Sequence, residues 1–135
     1  MAERVFSTAP SLEEMRDMGE RALASIPPEL SRHVRGVAIV VEDFPDEETL
    51  DAMGCETEFD LLGLYSGVDL TRKTGWGETG GIDRIFLYRR PILDYWCETG
   101  EDLEHVVRHV LIHEIGHHFG LSDDDMERIE AGAPD

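Results

Sequence analysis

The chain has 135 residues, enough for one hydrophobic core, and carries a net charge of −18 with eleven Arg and a single Lys. Such a surface repels phosphate backbones and anionic membranes, so neither nucleic acid nor membrane is an expected partner; neutral or cationic ones are favoured, though a merely solvated acidic surface fits equally. No stretch approaches the ~20 apolar residues of a membrane span, Met1 to Phe6 lacks the apolar run of a signal peptide, and Cys55 and Cys97 read as free thiols, so the expected location is cytoplasmic.

The expected domain is single, residues 1–135, with 1–10 as a tail. Ser11-Leu12-Glu13-Glu14 is a capping box, and Leu12, Met15, Met18, Ala22 and Leu23 fall on one side of a helix running to Ile26. Pro27-Pro28 ends it. His33 is expected at the surface. Val34 to Val41 is a β-branched run without alternation, which predicts an interior strand covered on both faces. From Glu42 to Asp60 there are nine acids and no base. A calcium site is one reading, but no EF-hand spacing is present, and a solvated loop around a helical turn at Glu47 to Met53 is preferred. Leu61 to Val68 and Ile82 to Arg89 read as two further strands. Between them, Asp69 to Gly81 holds four glycines and Trp76; no phosphate-loop order is present, so it is a lid or a plain hairpin loop. Pro91 to Cys97 predicts a short helix or turn. Asp102 or Thr99 caps a long helix to about Phe119, and a last helix runs from Ser122 to Ala131.

The long helix carries the chemistry. His113-Glu114-Ile115-Gly116-His117 is an HExxH pattern, and residues four apart on a helix stand one turn above each other. Two imidazoles at that spacing fit Zn²⁺, and the intervening Glu114 can reach a zinc-held water as general base. Composition alone places the bare pattern in roughly 3% of shuffled chains, so the motif needs support from its position. His105, His109, His113 and His117 form three i,i+4 pairs, and only the last has Glu after its first member. Leu103, Val106, Val107, Val110, Leu111 and Ile115 form an apolar stripe, and Glu114 projects inside it. A buried carboxylate without a partner is costly, so a purely structural helix has little reason to put Glu there.

Gly120 ends the helix, and Asp123 follows three residues later. By spacing, Asp123 is either a third metal ligand or an acid on the dipole of a helix capped by Ser122. His118 lies 100° round from His117 and is an unlikely ligand. Met126 pairs with Ile129 at i,i+3, as in ordinary helix packing.

HExxHxxGxxD resembles the metzincin signature with Asp in place of the third His. It is similar to the small bacterial minimal matrix-metalloprotease-like zincins, and the same Asp variation occurs in snapalysin-type peptidases. Leu61 to Val68 and Asp83 to Pro91 also resemble that minimal family, and the likeness spans roughly Val34 to Ile129. The resemblance implies an α+β zincin-like fold, a small mixed sheet packed on an active-site helix. It implies Zn²⁺ held by His113, His117 and Asp123, with Glu114 catalytic and a peptide or protein substrate. It also makes Leu62 to Val68 the edge strand along which such a substrate lies. Little chain follows the site, so a shallow cleft is expected. Two other readings remain: a zincin fold that binds metal without turnover, and a zinc endoribonuclease, against which Glu114 and the acidic surface both argue.

Overall fold

Ser11 opens the first helix as its sequence prescribes. Its hydroxyl accepts from the Glu14 amide at 3.1 Å, and the Glu14 carboxylate accepts from the Ser11 amide at 2.8 Å. In the computed structural model, which describes residues 8–32, 34, 36–67 and 83–131, α1 spans Leu12–Ser25 and α2 spans Pro28–Ser31. Met15, Met18 and Ala22 are buried along α1 as expected. Leu12 is not: it is 42% exposed and lines a cavity of about 390 Å³ with Glu13, Arg16, Ile39, Val40 and Val41. Gly19 faces the sheet, where an added Cβ would stand 2.9 Å from Leu87 Cδ1 and 3.1 Å from Ile39 Cγ2. Its missing side chain lets α1 lie directly on the strands. Pro10, placed by sequence in the tail, is buried, and its carbonyl accepts from Arg89 Nε at 2.7 Å.

Among the described residues three strands form the sheet: β1 (Ala38–Glu42), β2 (Gly63–Ser66) and β3 (Arg84–Tyr88), in the order β1-β3-β2. β1 pairs with β3 in parallel, Ile39 opposite Ile85, while β2 pairs antiparallel, Leu64 opposite Phe86. β3 is central and buries Ile85, Leu87 and Tyr88. Among the described residues β1 is therefore an edge strand, not the interior strand its apolar run suggests. Such a run reports covered faces and says nothing about which strands flank it. β2 occupies the other edge, where the resemblance puts it.

Helix α3 (Glu47–Ala52) is capped by Asp46, whose carboxylate accepts from Thr49 N at 2.7 Å. Asp60 likewise accepts from the amides of Glu56 and Thr57, both at 2.9 Å. Two acids of the Glu42–Asp60 stretch thus serve as local caps, which fits the solvated-loop reading. Helix α4 (Arg89–Thr99) is longer than predicted because it starts directly from the last residue of β3, without an intervening turn. Cys55 and Cys97 are free, as expected. The Asp69–Gly81 connection with Trp76 lies outside the described residues, as does His33.

Helix α5 (Leu103–His118) runs through the core, and Asp102 rather than Thr99 caps it, accepting from His105 N at 3.3 Å. Leu103, Val106, Val107, Val110, Leu111 and Ile115 are buried, the stripe read from sequence, and Ile112 joins them. Gly120 takes a left-handed φ of 79°, and Leu121 N donates to Gly116 O at 2.8 Å, closing the helix end. The chain then enters α6 (Asp123–Ala131), with Ser122 Oγ accepting from Asp125 N at 3.1 Å. Met126 and Ile129 bury α6 against the core. A Cβ on Gly116 would overlap Met126 Cγ and Sδ, so this glycine inside the HExxH stretch is where α6 docks. The whole is an α+β fold, a small mixed sheet backed by the α5 helix. Among the described residues no helix is long and apolar enough to cross a membrane.

Candidate metal centre

The pleat of β2 aims alternate residues at α5. Gly63, Tyr65 and Gly67 share that side: a Cβ on Gly63 would meet Val110 Cγ1 at 2.7 Å and Glu114 Cγ at 3.6 Å, and one on Gly67 would meet the His118 ring at 2.8 Å. Two glycines therefore bring the strand down onto the helix at the level of Glu114 and His118. Between them Tyr65 is buried and stacks on His118, ring centroids 4.0 Å apart and planes 22° from parallel. Its hydroxyl donates to Asp83 Oδ2 at 2.6 Å. Burial first, then this hydrogen bond and the charge of Asp83, push the phenol's pKa up. His118 thus packs under the strand, apart from the HExxH pair.

Glu114 is half-buried beneath the same strand. Loss of solvent pushes its carboxyl above the ordinary value, while His117 and a hydrogen bond from the Tyr65 amide pull the other way. Tyr88 N donates to Leu62 O at 2.9 Å, so Leu62, Leu64 and Ser66 turn their backbone groups to β3. Gly63 and Tyr65 turn theirs outward. Nearby Tyr88 is pushed up to about 12 by burial and then by the carboxylates of Glu42, Asp46 and Glu114.

His113 and His117 stand one turn apart with ring centroids 5.9 Å apart. His117 Nε2 lies 3.7 Å from Asp123 Oδ1, so the turn at Gly120 does return Asp123 to the second histidine. Asp123 sits in the first turn of α6, and the capping is done by Ser122. His113 faces another way: its Nε2 is 3.1 Å from Glu130 Oε1, and His109 Nδ1 is 2.9 Å from Glu130 Oε2. Among the described residues, His109, His113 and Glu130 are the set of three whose ligand atoms all lie within 4.8 Å of one another. The sequence motif points to His113 with His117 and Asp123; it does not point to His109 or Glu130. The i,i+4 spacing of His109 and His113 was the available signal for the first, and nothing local marked the second.

A family model described as zincin-like metallopeptidase matches residues 34–133. The chain belongs to the zincin-like metallopeptidase family. Its fold is similar to that of a conserved hypothetical protein from Thermus thermophilus, at 26% identity and a TM-score of 0.52, over 81% of this chain and 94% of that one. No curated protein matches the chain. Membership in a zincin-like family accounts for HExxH on a buried helix beneath a small mixed sheet, and for a half-buried Glu114 set against a strand edge.

Proposed function

We propose that this zincin-like protein is a zinc-dependent peptidase. The placement of Glu114 carries the reading. It is a carboxylate half-buried on the metal-binding helix, between histidines one turn apart, and it packs beneath β2, where a Cβ on Gly63 would stand 3.6 Å from its Cγ. His113, His117 and Asp123 would hold the zinc. Two ligands each ~2.0 Å from a tetrahedral ion are ~3.3 Å apart, close to the 3.7 Å between His117 Nε2 and Asp123 Oδ1, and two imidazoles with one carboxylate suit zinc and leave a fourth position open. For His113, the contact with Glu130 must give way. When bound, zinc makes a water acidic and polarises the substrate carbonyl. Glu114 takes a proton from the attacking water and delivers it to the leaving amine nitrogen. The outward backbone groups of Gly63 and Tyr65 offer an extended peptide a strand to pair with. The −18 charge favours neutral or cationic peptides.

The test is digestion of a diverse peptide library, cationic sequences included, by protein loaded with one equivalent of Zn²⁺ and by the same protein in chelator. Mass spectrometry should find new termini only in the loaded sample. No cleavage by fully loaded protein would move the weight to a metal-stabilised binding role.

A further inference from the structure

We propose that His109, His113 and Glu130 form a second divalent-cation site, alternative to the His113–His117 site because both require the His113 ring. Its existence does not depend on peptidase activity; only its effect on hydrolysis rests on that reading.

The geometry is that of a ligand set drawn together. Glu130 reaches from α6 and splits its two oxygens between two rings on α5, at 2.9 Å to His109 Nδ1 and 3.1 Å to His113 Nε2. The rings lie side by side, centroids 4.1 Å apart and planes 34° from parallel. One ligand atom from each residue lies within 4.8 Å of the other two, against ~3.3 Å on a tetrahedral ion, so small side-chain rotations bring the three onto one cation. In the hydrogen-bonded state each of those nitrogens must carry a proton to reach an acceptor-only carboxylate. A cation replaces both protons and neutralises the Glu130 charge.

The support is rigid. Met126 and Ile129, both buried, fix α6, and Val110, Ile112 and Ile115 fix α5 around the two histidines. Glu130 is 17% exposed, so the site is partly dry yet open to solvent on the His109 side, where the ring is 43% exposed. Two imidazoles and one carboxylate select Zn²⁺, Co²⁺ or Ni²⁺ over Ca²⁺ or Mg²⁺, which prefer all-oxygen shells. His113 Nε2 has one lone pair. A cation held with His109 and Glu130 thus removes His113 from the pair it forms with His117, and on the peptidase reading such a molecule is silent.

The probe is Co²⁺, followed by equilibrium dialysis and its visible spectrum. Wild type should bind one Co²⁺, not two, because the sites share a ligand. His117→Ala breaks the HExxH pair and should still bind one Co²⁺. Adding Glu130→Gln or His109→Ala to His117→Ala should weaken that binding at least tenfold, and a hundredfold excess of Ca²⁺ should not displace it. Either of two results overturns the site: no Co²⁺ on a His117→Ala protein whose circular dichroism matches wild type, or less than a twofold change on adding Glu130→Gln. His117→Gln carries the same test if the Ala variant loses helix signal. The two proposals fail separately. A wild type that cleaves no peptide while His117→Ala binds Co²⁺ defeats the peptidase and spares this site; cleavage by wild type with no Co²⁺ on His117→Ala does the reverse.

Discussion

Gly63 and Glu114 set β2, an edge strand among the described residues, against the helix that carries HExxH: a Cβ on Gly63 would stand 3.6 Å from Glu114 Cγ. An outward edge amide is what an arriving peptide strand would use. On the peptidase reading, the proposed base therefore lies beside the strand edge offered to the substrate.

Glu114→Gln keeps the size of the side chain and a hydrogen-bonding oxygen but cannot take a proton. Zinc content and melting temperature in the zinc-loaded state should stay near wild type while turnover falls by ~10²-fold or more. Undiminished hydrolysis would remove Glu114 from the reaction.

The same variant reads out burial through pH. Glu114 is held above its ordinary 4.5 in the folded chain, so in that window the folded state binds more protons than the unfolded one. Its contribution therefore becomes less favourable as pH rises from about 4.5 through the raised value, then levels off. Asp46, Asp60 and Asp125 are held below 3.8 and lose their stabilising contribution only at lower pH, outside this window. With metal chelated, Glu114→Gln should gain stability over wild type as pH climbs from 4.5 to 8. A difference that does not change with pH would mean the carboxylate bears no burial cost.

Asp123 can be separated from its place in α6. Its side chain is 85% exposed and Ser122 does the capping, so Asp123→Asn should change the stability of the chelated protein only by the ~0.3–1 kcal/mol of a first-turn charge. With the alternative set disabled by Glu130→Gln, adding Asp123→Asn should lower zinc affinity by more than the ~10–100-fold typical of losing a supporting contact to a metal ligand. His113→Ala should abolish binding altogether, since both proposed sites need that ring. Calorimetric titration with Zn²⁺ and denaturation of the chelated proteins check all three; equal zinc affinity with and without Asp123→Asn in the Glu130→Gln background would strike Asp123 from the ligands.

The helical half of the fold was legible because its signals are local. The Ser11 box, the Asp102 cap, the Leu103 to Ile115 stripe and the Gly120 stop each act within a turn or two. HExxH was legible for the same reason. What escaped depends on contacts between elements distant in sequence. Nothing near Val40 reveals that β3, some forty-five residues later in the chain, takes the centre of the sheet. Gly63 and Gly67 look like ordinary strand-end glycines until α5 is beneath them. Glu130 was one of several acids on the last helix, and its approach to His109 and His113 is fixed by the angle at which α6 returns after Gly120.

Gly116 offers a sharp test of how α6 holds the metal helix. Two effects of Gly116→Ala oppose each other. Alanine in a helix interior is favoured over glycine by ~1 kcal/mol. The added methyl, however, enters space filled by the Cγ and Sδ of Met126, which is fully buried, and overpacking of that kind costs ~1–3 kcal/mol. The clash should win, and Gly116→Ala should lower stability and loosen the return of Asp123 and Glu130 toward α5. In a Met126→Ala background, which itself costs ~2–5 kcal/mol, the clash is gone and only the helix preference remains. There Gly116→Ala should be stabilising. Chemical denaturation of the four proteins gives the coupling directly. A Gly116→Ala effect of the same sign in both backgrounds would show that Met126 is not what this glycine makes room for.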